Sequence, residues 1–198
     1  MTTAAKDLLQ LGKLVASTHG WPAARAFKAY ELNDADRARI AGCAVDLLKV
    51  FPKAPGTSAF LSAAFVVHLE RHLSAPVHLV AGTLAVDGEP VYEDDRPSAA
   101  ANAFKAEELQ WQGHMWVMIG GYVADISIFR AAYSSDCPPA LARHVHSVFG
   151  QDKGLYVDQW RRSRRQGLSY EPQYVLSQDE VTSLMGGAYR LIERAKRC

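Results

Sequence analysis

Residues 113–127, Gly-His-Met-Trp-Val-Met-Ile-Gly-Gly-Tyr-Val-Ala-Asp-Ile-Ser, constrain the fold more than any other stretch of the chain. Two apolar runs flank Gly120-Gly121, a two-residue turn signal, so the segment predicts a β-hairpin. His114 opens its first strand and Asp125 lies near the end of its second. Folding back at the glycine pair brings these strand ends side by side, and cross-strand side chains that face the same way come within reach. A carboxylate next to an imidazole fixes its tautomer and its orientation.

A second stretch, Gly56-Thr57-Ser58-Ala59-Phe60-Leu61-Ser62-Ala63-Ala64-Phe65, reads as a tight turn that opens into a helix ending near Leu73. Pro55 and Gly56 break what precedes, and Phe60, Leu61, Ala64, Phe65, Val67 and Leu69 follow at roughly helical spacing. Thr57 or Ser58 there can serve as an ordinary N-cap. A hydroxyl in the first turn also sits in the field of unpaired N–H groups that favour a developing anion. Together with His114 and Asp125 it completes the parts list of a nucleophile–base–acid triad.

These ordered segments, Gly56-Thr57-Ser58, then Gly113-His114-Met115-Trp116, then Tyr122-Val123-Ala124-Asp125, resemble the transglutaminase-like branch of the papain-like cysteine enzymes. Ala75-Pro76-Val77-His78-Leu79-Val80-Ala81-Gly82 is similar to that family's strand ending in glycine after the nucleophile helix. The resemblance covers about residues 50 to 130. It implies a papain-like fold with Ser58 at the nucleophile position, His114 as base and Asp125 as orienting acid, acting on an amide or ester bond of a peptide, protein or small molecule. The family's cysteine is Ser58 here, a natural or an introduced replacement. A thiolate site rests on an ionised sulfur near neutral pH, whereas a hydroxyl loses its proton only during attack. A binding module that keeps the groove and has lost the chemistry is therefore the alternative expectation.

The rest of the chain frames this core. Residues 3–17 predict a helix ended by His19-Gly20, with a restart at Trp21-Pro22. Asn33 or Asp34 caps a third helix to about Val50, carrying Ile40, Val45, Leu47 and Leu48, with Cys43 a small core residue. Val77–Val86 reads as a strand, Asp87-Gly88 as a turn and Val91-Tyr92 as the returning strand, followed by a polar loop from Glu93 to Asn102. Ile128–Tyr133 is helical, and Pro138-Pro139 opens a helix to about Phe149 with Leu141, Val145 and Val148 inward. Cys137 at the start of that helix is a rival nucleophile, because a helix N-terminus lowers a thiol pKa. Tyr170–Leu176 reads as a strand, and Ser177-Gln178-Asp179-Glu180 as the capping box of a last helix to about Arg194. The expected fold is α+β: a central antiparallel sheet packed against the Ser58 helix, in one domain spanning 1–198 with 1–50 as a helical N-terminal extension, so that the first part of the chain is an α-helical N-terminal third.

Composition narrows the classes. Apolar residues at 48% and charged residues at 22% are those of a globular protein, so disorder need not be invoked. A net charge of +1 exerts no overall pull on nucleic acid or membrane, and Trp160-Arg161-Arg162-Ser163-Arg164-Arg165 reads as a solvated basic face. No run approaches membrane-span length, and the first twenty residues lack the apolar centre of a signal peptide. Cys43, Cys137 and Cys198 match no zinc spacing, and free thiols suit a reducing cytoplasm. His68 and His72 share a helix face, but His68-Leu69-Glu70-Arg71-His72 is not the metalloprotease order and reads as a solvated face. His144 and His146 fall on different faces. No cofactor and no metal is expected.

Overall fold

The hairpin forms where its turn signal sits. The computed structural model describes residues 3–93 and 111–197. Strands β3 (His114–Ile119) and β4 (Tyr122–Asp125) are antiparallel around Gly120-Gly121, with Ile119 opposite Tyr122 and Val117 opposite Ala124. Gly120 has φ +55°, in the left-handed region, and a Cβ there would run into the Tyr30 carbonyl, so the turn needs glycine twice over.

The hairpin extends into a six-stranded antiparallel sheet. Its order is β2 (Glu89–Tyr92), β1 (Val77–Val86), β3, β4 and β5 (Tyr156–Gln159), with β6 (Leu168–Val175) paired to β1. The ten residues of β1 are all buried, which marks it as the central strand. Strand β5 carries no alternation long enough to announce itself in the sequence.

Side-chain alternation separates two cores. Met115, Val117, Ile119 and Ala124 face α3 (Ser58–His72), which packs between the sheet, α2 (Asp34–Val50) and α7 (Gln178–Lys196). Helix α3 buries Leu61, Phe65 and Leu69 together with Ala59, Ser62, Ala63, Ala64 and Val66, so it is apolar on nearly all sides, as an internal helix must be. A fully buried Leu or Phe contributes roughly 1.5–3 kcal/mol relative to exposure, so this helix is the main anchor of that core. Gly187 of α7 lies against the Phe60 ring where no Cβ would fit, which lets α7 settle close on α3.

Trp116, Met118 and Val123 point to the other face. There they meet α1 (Thr3–Ala29), through Leu11, Val15, Ala24 and Phe27, and the helices that follow β4. Those are α4 (Ile128–Ala132), α5 (Pro139–Val148) and the short α6 (Trp160–Ser163). The 1–50 segment is thus built into both cores, since Ile40, Cys43 and Ala44 of α2 join the α3 side.

Local signals set most boundaries. Asn33 accepts from the Asp36 N–H, and Asp36 receives the Asn33 N–H, a capping box that starts α2. Ser177 and Glu180 do the same for α7. Within α1 the helix breaks at Gly20, whose φ of +84° is non-helical, and a second helix restarts around Pro22, as His19-Gly20 and Trp21-Pro22 lead one to expect. Val148, expected inward, is 50% exposed because it closes the last turn of its helix, and Val45 is 52% exposed, one position aside from the buried Ile40, Cys43 and Ala44. The polar loop after Glu93 lies outside the described residues.

Candidate active site

The centre of the site is a buried imidazole–carboxylate hydrogen bond. His114 Nε2 lies 2.6 Å from Asp125 Oδ2, with His114 3% and Asp125 0% exposed. Both residues sit on the face of the hairpin that carries Trp116 and Val123, and the strand register sets them diagonally across it. An ionised carboxylate only accepts, so Nε2 carries the proton and Nδ1 is the nitrogen left for other chemistry.

Asp125 is saturated with donors. Oδ1 receives the Ser127 N–H at 2.9 Å, the Ser127 hydroxyl at 3.0 Å and the Ile128 N–H at 3.0 Å. Oδ2 receives the Tyr170 hydroxyl at 3.1 Å as well as His114. Burial alone would raise this carboxyl, but the His114 charge and the hydrogen bonds from His114 and Ser127 outweigh it and hold it below its ordinary value. The carboxylate is therefore fixed, charged and aimed. The imidazole is held on its flanks as well: Tyr92 stacks on it at 5.4 Å between ring centres and Trp116 at 6.3 Å.

Ser58 is the first residue of α3 and His114 the first of β3. Alternation turns His114 away from α3, which Ser58 opens, and toward the Trp116 face. Both line one cavity of about 1210 Å³, together with Thr57, Tyr92, Trp111 and Arg130. Among the described residues, no hydrogen bond joins the Ser58 hydroxyl to His114. His114 is expected between the other two side chains: the His114–Asp125 half is a direct contact, and Ser58 shares the cavity with His114 alone of that pair, since the fully buried Asp125 does not line it.

The start of α3 differs from an ordinary cap. Thr57 occupies the N-cap position, but its hydroxyl donates to the Ala54 carbonyl at 2.7 Å and no side chain caps the helix. The first helical bond runs from Leu61 N–H to Thr57 carbonyl. The N–H groups of Ser58, Ala59 and Phe60 thus have no acceptor within the helix. The segment leading into α3 is held from α4: Arg130 donates to the Pro52 carbonyl at 3.1 Å and the Leu48 carbonyl at 2.8 Å. One turn into α3, the fully buried Ser62 hydroxyl donates to the Met115 carbonyl at 3.1 Å, pinning the helix to β3 next to His114.

Tyr170, Ser127, Ser62 and Arg130 escaped sequence reasoning. Ser127 carried a readable signal, since a hydroxyl two residues after an Asp at a strand end bonds back to it. The other three act across 45 to 82 residues of sequence separation, which no local pattern reveals.

The rival sites separate. Cys137 is half-buried, its thiol donates to the Pro138 carbonyl at 3.3 Å, and burial pushes the thiol up rather than down, so the helix start does not activate it. His144 is spent on the Asp87 carboxylate at 3.2 Å and the Gln166 carbonyl at 2.8 Å. His68 and His72 gain a third potential ligand in Cys43. Arg161, Arg162, Arg164 and Arg165 are exposed. Among the described residues, no helix is long and apolar enough to cross a membrane.

Comparison with protein-family models, with curated proteins and with solved structures finds no match to this chain.

Proposed function

We propose that the chain is a transglutaminase-like, papain-like scaffold that performs acyl transfer or hydrolysis on an amide or ester bond. The observation that carries this reading is His114, held by the buried, donor-saturated Asp125, on the wall of the cavity that Ser58 also lines at an uncapped helix start. Ser58 Oγ attacks the carbonyl carbon while its proton passes to His114 Nδ1. Asp125 holds Nε2–H and offsets the imidazolium charge. The oxyanion is received by free N–H groups of the first turn of α3. The tetrahedral intermediate collapses as His114 returns the proton to the leaving amine or alcohol, leaving an acyl-Ser58 ester. Water or an amine, deprotonated by His114, then releases the acyl group.

A serine-directed phosphonate probe tests this. Stoichiometric labelling at Ser58, lowered about 10²-fold or more in His114→Ala, is the expected result. Labelling that ignores His114, or none at Ser58, sinks the enzyme reading. A second reading has its own support: the Ser58 hydroxyl is not hydrogen-bonded to its base, which suits a groove that binds a peptide or protein partner without turnover.

A further inference from the structure

We propose that Cys43, His68 and His72 form a zinc site at the far end of the Ser58 helix. Cys43 lies in α2, and His68 and His72 stand one turn apart on α3. One ligand atom from each lies within 4.8 Å of the other two. Thiolate and imidazole are the donors zinc selects, with bonds of about 2.0–2.3 Å, and a tetrahedral site sets such atoms roughly 3.5 Å apart. Closing the remaining distance takes about 1 Å of side-chain movement. Two of the three ligands have room for it, because His68 is half-buried and His72 exposed.

The site is also oriented. His72 Nδ1 donates to the His68 carbonyl at 2.8 Å, which fixes the tautomer and leaves the Nε2 lone pair as the ligand. The two rings meet edge-on, their centres 4.5 Å apart, which keeps the two imidazoles side by side at the end of the helix. Cys43 is buried against the α2–α3 core, which gives the site a rigid inner wall. Asp46, one turn along α2 from Cys43, acts electrostatically on both Cys43 and His68. It is exposed and pairs with Lys49 at 3.5 Å, and the fourth position of the site is left to water. On binding, the Cys43 thiol releases its proton to solvent and the thiolate joins the metal. The ion would clamp α2 to the C-terminal turn of α3, about 20 Å from Ser58 along the helix. Its existence does not depend on the chemistry proposed for that end.

The test is cobalt and zinc titration of the chelator-stripped full chain. Cobalt is expected to bind one to one, with the near-ultraviolet charge-transfer band of a cobalt–thiolate bond and intense visible bands of tetrahedral coordination. Zinc should bleach both spectra. Cys43→Ala should abolish the charge-transfer band, while Cys137→Ser and Cys198→Ser should keep it. His72→Ala, at an exposed position where folding is not at stake, should weaken zinc at least about tenfold against a competing chelator. Circular dichroism of each variant checks that it is folded. Cobalt that binds without a thiolate band, or zinc affinity unchanged in His68→Ala and His72→Ala, overturns the site.

Discussion

The Tyr170 hydroxyl donates to Asp125 Oδ2 at 3.1 Å, the same oxygen that receives His114 Nε2 at 2.6 Å. Strand β6 thus reaches across the core to brace the acid that braces the imidazole. Tyr170 is itself wholly buried and packs edge-on against Trp116, so its hydroxyl has a fixed position.

Tyr170→Phe keeps the ring and deletes the donor. A hydrogen bond to a charged group in the interior contributes about 1.5–3 kcal/mol. The variant should unfold at lower urea with an unchanged slope, by about that amount. Loss of only a few tenths of a kcal/mol would mean that Asp125 does not depend on this donor.

His78 sets an acid limit on stability. Burial, and then the neighbouring His19, push its imidazole down to about 4, and its Nε2 has no hydrogen-bond partner among the described residues. The rings of His19 and Phe27 lie 4.9 Å and 5.5 Å from it. Between the unfolded value of about 6.5 and the folded value, the unfolded chain binds more protons, so stability rises with pH across that window and falls as pH drops through it. The full effect approaches roughly 3 kcal/mol by the foot of the window. Urea midpoints measured at intervals from pH 7 to 4 should fall steeply in the native chain and less so in His78→Phe. Equal slopes would show that His78 does not carry the effect.

Gly82 pairs with His114 in the β1–β3 register and, on its other side, presses on β6 at a bulge. A Cβ there would collide with the Glu171 carbonyl, which is backbone and cannot move aside. Gly82→Ala should therefore cost about 3 kcal/mol and loosen the strand that holds His114. Gly121→Ala meets nothing within 4 Å and should stay within about 0.5 kcal/mol. Thermal unfolding of the two variants side by side checks the contrast.

What the sequence made legible follows from how local each signal is. The Gly120-Gly121 turn, the cap at Asn33 or Asp34 and the capping box at Ser177 involve residues within four positions, and the structure has the turn, the cap at Asn33 and the box at Ser177. His114 and Asp125 were readable as a pair because one tight hairpin joins them. Tyr170 was not, since β6 pairs with β1 rather than with the hairpin. Strand β5 is four residues long and half-buried, too short for period-two alternation to stand out. Cys43 read as a core residue, and it is one. Only the packing of α2 on α3 brings it beside His68 and His72.

Ser58→Cys reports whether this scaffold is poised for a nucleophile. Three features act on the new thiol. The first turn of α3 offers N–H groups with no side-chain cap, and a helix N-terminus favours a thiolate. A protonated His114 on the same cavity wall adds a positive charge, and a nearby cation lowers a thiol pKa. The buried Asp125 carboxylate lies 2.6 Å from that imidazole and fixes its orientation. The resident thiols are opposed by burial, which raises both Cys43 and Cys137. In chelator at pH 7, the introduced thiol should therefore react with an alkylator at least about tenfold faster than Cys43, Cys137 or Cys198. Adding His114→Ala should slow it, while the Ser58 protein shows no matching reaction, because its hydroxyl stays protonated. Time-resolved mass spectrometry of peptide labelling reads all four positions at once. A thiol at position 58 that labels no faster than the resident three, with or without His114, would leave the partner-binding groove as the reading to pursue.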